Sequence, residues 1–276
     1  MIHKADNSRS LHSIQICRRA PKISHLFFAD DSLLFLRAIE TEAANLMAIL
    51  QAYERTSGQV INLQKSSITF SSNVQPRARS RISHILGIKE ANSPGRYLGF
   101  LVDIGRSRIA TFSTLKSKFW ARIAEWREQP LSRVGKEVLI KSVLQSLPTY
   151  VMSLFLLPKA ICTDLELIMN RYWWEGGKDE QKIHWMEWQK LAISKKPGGL
   201  GFRAMREFNL SMLGKQVWWL LMHRNSLATR IMKARYFPRS NILRAKLKSP
   251  CNVTWQSIWH SIELLNQGCR RLIGNG

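Results

Sequence analysis

The chain has 276 residues, 45% of them hydrophobic, and a formal net charge of +23. That length and apolar content exclude a disordered tail and allow one or two domains with real cores; the charge points to a polyanionic partner, either nucleic acid or an anionic membrane. The longest apolar stretch, Tyr150 to Leu157 between Pro148 and Pro158, is far shorter than the roughly 20 residues that span a bilayer. Cys17, Cys162, Cys251 and Cys269 are scattered with no Cys-x-x-Cys, which argues against a zinc knuckle and predicts structural or free thiols, no disulfide framework and a reducing compartment.

Residues 1 to 24 are polar and basic, with Asp6 the only acid. An Arg- and Ser-rich start poor in acids has the composition of a transit peptide. The next stretch, Ser24 to Leu36, sets two apolar runs on either side of Asp30-Asp31. Two short runs around a tight polar break predict a β-hairpin, and runs apolar on both faces predict strands buried on both sides. The two aspartates then sit at the hairpin tip. Like charges this close repel, and a divalent cation held by carboxylate oxygens is the natural compensation. A bare Asp-Asp pair is more often a solvated turn, because Asp favours turns for its own local hydrogen bonds.

The flanks distinguish this pair. Phe28-Ala29-Asp30-Asp31 resembles the FADD form of the catalytic box of reverse transcriptases, and the longer string from Ala20 to Phe35 is similar to the LINE-type (non-LTR) retrotransposon enzymes of plants. The resemblance implies an α+β fold: part of a right-hand polymerase palm, made of a β-hairpin, a helix and short strands, followed by a mainly α-helical thumb and connection. It implies that Asp30 and Asp31 are catalytic ligands of Mg²⁺ or Mn²⁺, with Asp30 the more important. It also implies an RNA template and a DNA primer as partners, and an intracellular, nuclear location or an organellar copy. Ile14, Ile16 and Lys22-Ile23 look like the strand and loop that lead into the hairpin in that family, an alternative to the transit peptide.

After the hairpin, Ile39, Ala43, Leu46, Met47, Leu50 and Tyr53 recur at helical spacing, with Gly58 placed to end the helix in a left-handed cap. Ser57, Gly58, Gln59, Asn62, Lys65 and Ser66 match the family's SGQxxNxxKS box. In that setting Lys65 binds a triphosphate or donates a proton to the leaving pyrophosphate; on spacing alone it reads equally as a surface turn lysine. Ile68 and Phe70 alternate in a short strand. Asn73 to Ser83 reads as a loop or the start of a helix ending at Ile85-Leu86-Gly87. Arg96 to Leu101 is a short strand that resembles the YLG box, in which Tyr97 and Gly99 support the primer end; an ordinary strand glycine at a bulge is the other reading of Gly99.

From Ser107 helical patterns dominate. Phe112, Leu115, Phe119, Ile123 and Trp126 form one stripe, with Lys116, Lys118 and Arg122 between them. Ser132 is placed to cap a helix from Val134 to Leu147, which Pro148 stops. Lys136 and Lys141 on that helix join the three preceding cations as candidates for phosphate contact. Thr163 and Glu166 have the spacing of a capping box for a third helix. Trp173-Trp174, Trp185 and Trp188 read as a glycine-interrupted loop whose rings pack in the core or stack on bases. Lys195 to Arg203 is not a phosphate loop, since no Gly-Lys-Ser or Gly-Lys-Thr follows; it resembles the family's GGLGF turn, followed by Phe208-Asn209 and Lys215-Gln216 on a helix. The family arginine expected after Trp218 is Trp219 here. Lys233 to Pro238 closes a short helix, and Trp255 to Leu265 reads as a last one.

The resemblance implies three regions: 1–106 as the later part of a palm, 107–200 as a thumb-like helical region, and 201–276 as a helical connection. In the resembled family an essential aspartate lies well upstream of the hairpin, whereas only Asp6 precedes it here, and the first glycine is Gly58. The expectation is a truncated polymerase, inactive alone. A non-catalytic basic helical module that binds RNA or RNA–DNA duplex is the alternative.

Overall fold

Helix-forming runs separated by proline, glycine and capping serines make the described residues mainly α-helical, with three small β-ribbons among them. The computed structural model describes residues 1–91, 96–97, 100–101, 108–127, 129, 131–175, 183–249 and 251–269. The chain divides into two compact units, 1–104 and 105–276.

The first unit opens with a one-turn-and-a-half helix, α1 (Ile2–Asn7). Two antiparallel ribbons follow: β1 (Ile14–Gln15) with β2 (Lys22–Ile23), and β3 (His25–Phe28) with β4 (Asp31–Leu34). Helix α2 (Glu40–Ser57) ends at Gly58 with φ +70° and a bond from its N–H to Glu54 O, the left-handed cap anticipated for that glycine. Helix α3 (Pro76–Leu86) begins with proline in its first turn and ends at Gly87, also at positive φ. It packs on α2. Their facing residues, Ala43, Leu46, Ile82 and Leu86, form the core of this unit together with Ala5 and Leu11. A third ribbon pairs β5 (Arg96–Tyr97) with β6 (Phe100–Leu101). Ile68 makes only an isolated parallel bridge to Glu90, so the short strand expected at Ile68 and Phe70 does not form; both residues instead pack against the helical core.

The regular elements of the second unit among the described residues are helices: α4 (Arg108–Arg127), α5 (Arg133–Leu139), α6 (Thr149–Leu154), α7 (Lys159–Trp174), α8 (Trp188–Ala192), α9 (Met205–Met222), α10 (Leu227–Tyr236), α11 (Val253–Trp259) and α12 (Ile262–Gly268). Phe112, Leu115, Phe119 and Ile123 are all buried on α4, which packs on α7. Ser132 caps α5 by accepting the Gly135 N–H at 3.2 Å. Helix α5 passes into a π turn at Ile140–Leu144 rather than running on to Leu147. Helix α7 starts at Lys159, directly after Pro158, so Thr163 lies inside the helix and is no cap. Glu166 caps a different helix: its Oε1 accepts the Met205 N–H at the start of α9, at 2.7 Å. Trp173 and Trp174 belong to the last turn of α7, not to a loop.

Helix α9 is the centre of this unit, packing on α6, α7, α11 and α12. The unit is therefore not divided at residue 200. Asn209 is fully buried on α9. Its Oδ1 accepts the Leu157 N–H at 2.8 Å, and its Nδ2 donates to Met152 O at 2.8 Å and Phe155 O at 2.9 Å. One side chain thus satisfies the open C-terminal end of α6. The glycine turn before α9 has an equally structural explanation. A Cβ on Gly199 would lie 2.0 Å from Ile193 O, and Gly201 has φ +67°. The turn delivers Phe202 to a stack on Trp188 (centroids 4.9 Å apart, 3° between planes) and to an edge contact with Trp173. The helix expected from Trp255 to Leu265 is two helices, broken where the buried Ser261 hydroxyl turns back to Ile258 O.

Candidate functional site

The two aspartates lie where the sequence puts them, at the tip of a hairpin. The β3–β4 register pairs His25 with Leu34, Leu26 with Leu33, Phe27 with Ser32 and Phe28 with Asp31. Ala29-Asp30 is therefore a two-residue loop, and Asp31 begins β4. Ala29 has φ +51°. A positive φ at the first loop position suits the right-handed twist of the ribbon, but it is a conformation that glycine takes more readily. Both aspartates are exposed. Among the described residues no His, Cys, Asp or Glu cluster of three or more could hold a metal ion. Two carboxylates suit Mg²⁺, an ion commonly bound by one or two carboxylates with water and substrate phosphates filling its other positions. They do not by themselves close a metal site.

The strands are not buried on both faces, as their apolar composition predicts. Phe27 is 57% exposed and Phe28 61%. The reason is topological: a two-stranded ribbon covers neither of its faces, and no third strand joins β3 or β4 among the described residues. What anchors the base of the hairpin is Glu42, a buried carboxylate in the first turn of α2. It accepts from the backbone N–H groups of His12 and Arg37 (3.1 and 3.2 Å) and contacts His12 Nδ1 at 2.7 Å. Sequence pattern alone does not find this residue, because an acid in a first helical turn reads as a dipole partner on the surface. Asp6 lies on α1, not on a strand. Its Oδ1 accepts from the Ser13 N–H and hydroxyl, which hold its carboxyl below the ordinary range.

The Lys65 box resolves into scaffold and cargo. Ser57 Oγ donates to Tyr53 O at 2.7 Å and accepts from the Gln59 N–H. Gln59 Oε1 accepts from the Tyr53 hydroxyl. Gly58 supplies the cap, and Asn62 Oδ1 accepts the Lys65 N–H at 3.0 Å while Ser66 Oγ donates to Asn62 O at 2.9 Å. Five of the six matched residues thus build the exit from α2. The sixth, Lys65, is exposed, and its ammonium has no partner among the described residues.

The helical cations chosen from the sequence fare differently. Lys136 Nζ donates to Tyr172 O and Glu175 O at the end of α7 and lies over the Tyr172 ring. Lys141 Nζ donates to Glu137 Oε1 and Leu200 O, both at 2.7 Å, and faces Phe202. Both lysines are struts of the fold. Lys116 pairs with Asp164, and Arg122 with Glu125; Lys118 is exposed without an ion pair among the described residues. Tyr97 lies in β5 opposite Phe100, with its side chain outside the described residues, as is Gly99.

No protein-family model matches the chain. Over 132 residues it is 39% identical to an "uncharacterized mitochondrial protein" of Arabidopsis thaliana, a match that covers 48% of this chain and 86% of that protein. The chain belongs to the family of that mitochondrial protein. It is also 33% identical over 166 residues, 60% of its length, to an Arabidopsis thaliana relative named "putative ribonuclease H protein", of which it spans 26%. The chain therefore corresponds to about a quarter of this longer relative. No helix among the described residues is long and apolar enough to cross a membrane.

Sequence reading passed over a run of exposed cations near the end of the chain. Between residues 208 and 269 there are nine lysines and arginines and one acid, Glu263. All nine cations are exposed, with no ion pair among the described residues. The charge imbalance of that segment was the available signal.

Proposed function

We propose that this chain is part of a plant LINE-type reverse transcriptase, comprising the later portion of the palm and a helical thumb and connection. Asp30 and Asp31 are the residues that hold Mg²⁺ or Mn²⁺ beside the nucleotide phosphates, and Lys65 meets the triphosphate or the leaving pyrophosphate. The observation that carries this reading is the Phe28-Ala29-Asp30-Asp31 sequence at the tip of a two-residue hairpin. Three further features support it. The Lys65 box spends its other matched residues on a loop that leaves one ammonium free. The exposed Phe27 and Phe28, on opposite faces of β3, are apolar surface that neighbouring palm elements would cover. A relative named for ribonuclease H fits a polypeptide that handles RNA–DNA hybrids.

A divalent ion held there would stabilise charge on the transferred phosphates. The protein's own part is to present two carboxylates on a short turn and to leave the Lys65 ammonium exposed on the loop after α2. Nucleotidyl transfer by two metals needs carboxylates from more than one strand, and the described residues bring no third acid to this pair. We therefore expect no primer extension by the 276-residue chain with Mg²⁺ or Mn²⁺. The test is an in-frame fusion to the upstream polymerase region of a related element, assayed on an RNA template with a DNA primer. Extension by the fusion that Asp30→Asn abolishes supports the reading. Extension that survives Asp30→Asn, or a well-folded fusion that never extends, removes it. Binding of RNA or RNA–DNA duplex without extension would favour the non-catalytic basic module, for which the exposed cations between residues 215 and 248 speak.

A further inference from the structure

The outer face of α9 carries an unusual set of side chains. The inner face, Asn209, Leu213, Val217 and Leu220, is buried in the core. Lys215, Trp218, Trp219 and Met222 are all exposed. Their spacings of three and four residues put them on one side of the helix. Trp218 is 49% exposed, Trp219 39% and Met222 61%. Tryptophan normally buries its large ring, so two exposed in succession need an explanation. Trp219 is held in place by His223, stacked on it at 4.7 Å with 19° between planes. Trp218 has no ring partner among the described residues. Arg224 follows the stripe directly, and Arg230 and Lys233 are exposed on α10.

We infer that this face binds single-stranded nucleic acid, with bases stacked on Trp218 and Trp219 and phosphates met by Lys215, Arg224 and cations of the following segment. Aromatic rings beside unpaired cations are the combination that single strands require, since every base has a π-face and every linkage a charge. Nine exposed cations against one acid between residues 208 and 269 supply the charge complementarity. A lipid surface suits this face less well. Insertion needs a broad apolar stripe, and the broad apolar stripe of α9 is already in the core. The inference rests on charge and ring exposure, not on the polymerase reading, and Asp30→Asn should leave it unaffected.

The experiment uses the whole chain in EDTA with fluorescein-labelled 20-nucleotide RNA, DNA of the same sequence, and the corresponding duplex, read by anisotropy. The pair Trp218→Ala and Trp219→Ala should weaken single-strand binding at least tenfold, as expected when base stacking is lost, and change duplex binding less than threefold. The RNA and DNA arms show which strand is preferred. Arg224→Gln with Arg230→Gln should weaken all three and flatten the salt dependence by about 0.7 per lost contact on single strands. Equal losses on single strand and duplex, or none, overturn the inference. So does a tryptophan variant that loses only its binding to anionic phosphatidylserine vesicles, or only its self-association in sedimentation. If the double variant fails to fold, photocrosslinking of 5-iodouracil RNA to the unmodified protein decides. Adducts in the peptide containing Trp218 and Trp219 support the inference, and adducts confined to other peptides overturn it.

Discussion

Replacing Asn209 by alanine removes, at one stroke, the partners of three buried backbone groups: the Leu157 N–H and the carbonyls of Met152 and Phe155. A buried polar group left without a bond costs about 1–3 kcal/mol. Carbonyls keep a second lone pair, so about 1–2 kcal/mol applies to each of the two and the full range to the N–H, giving a loss of roughly 3–7 kcal/mol. That is a large share of a typical domain stability of about 5–15 kcal/mol. All ten tryptophans lie between residues 105 and 276, so tryptophan fluorescence in a urea titration follows the helical unit alone. Asn209→Leu separates packing from hydrogen bonding, because it keeps the number and branching of side-chain heavy atoms yet satisfies none of the three groups, and it should lose about as much as alanine. Asn209→Asp keeps the acceptor for Leu157 but turns a second oxygen toward two carbonyl oxygens. Its carboxyl should be pushed up by burial and by those oxygens. A raised folded value means the native state holds the proton more tightly, so this variant should regain stability as pH falls. A loss below about 1 kcal/mol for alanine, or full rescue by leucine, would refute the reasoning.

Two further outcomes follow from the helical unit. Burial pushes the Glu166 carboxyl up, opposed by its bond from the Met205 N–H and aided by the Glu207 charge; its stabilising effect is complete below the ordinary carboxylate range and is lost as pH rises through the raised folded value. Glu166→Gln keeps the Met205 bond without the charge, so its melting temperature relative to the unsubstituted protein should rise as pH climbs from the ordinary carboxylate range through the raised folded value, and a flat difference would count against the assignment. Gly199→Ala should destabilise by about 3 kcal/mol, the upper range for overpacking, because the new Cβ meets Ile193 O at 2.0 Å; a melt unchanged within about 0.5 kcal/mol would show that the turn relaxes freely.

Much of the local structure was legible in the sequence. The FADD hairpin, the Gly58 cap of α2, the Ser132 cap of α5 and the stripe on α4 all rest on interactions within a few residues, and such signals survive whatever the rest of the chain does. The errors share one cause. Thr163 and Glu166 have capping-box spacing, but Pro158 starts the helix earlier and Glu166 is taken by the distant Met205 N–H. Lys136 and Lys141 read from spacing as cations between apolar positions, whereas the end of α7 and the glycine turn engage both ammonium groups. The apolar runs around the aspartates predict burial, but burial needs a covering layer, and a two-stranded ribbon has none of its own.

The hairpin with its two aspartates, the helical second half and the excess of positive charge could all be read from the linear chain, as could the resemblance from which the roles proposed for Asp30, Asp31 and Lys65 are taken. Each of these depends on residue type and short spacing, which the linear chain carries in full. Only the tertiary structure decided which cations are struts and which are free. It also decided that Asn209 and Glu42 are buried anchors, and that two tryptophans on α9 face outward. Whether a lysine is available to a phosphate depends on which carbonyls and carboxylates folding brings within hydrogen-bond reach, and those lie up to 59 residues away in the chain.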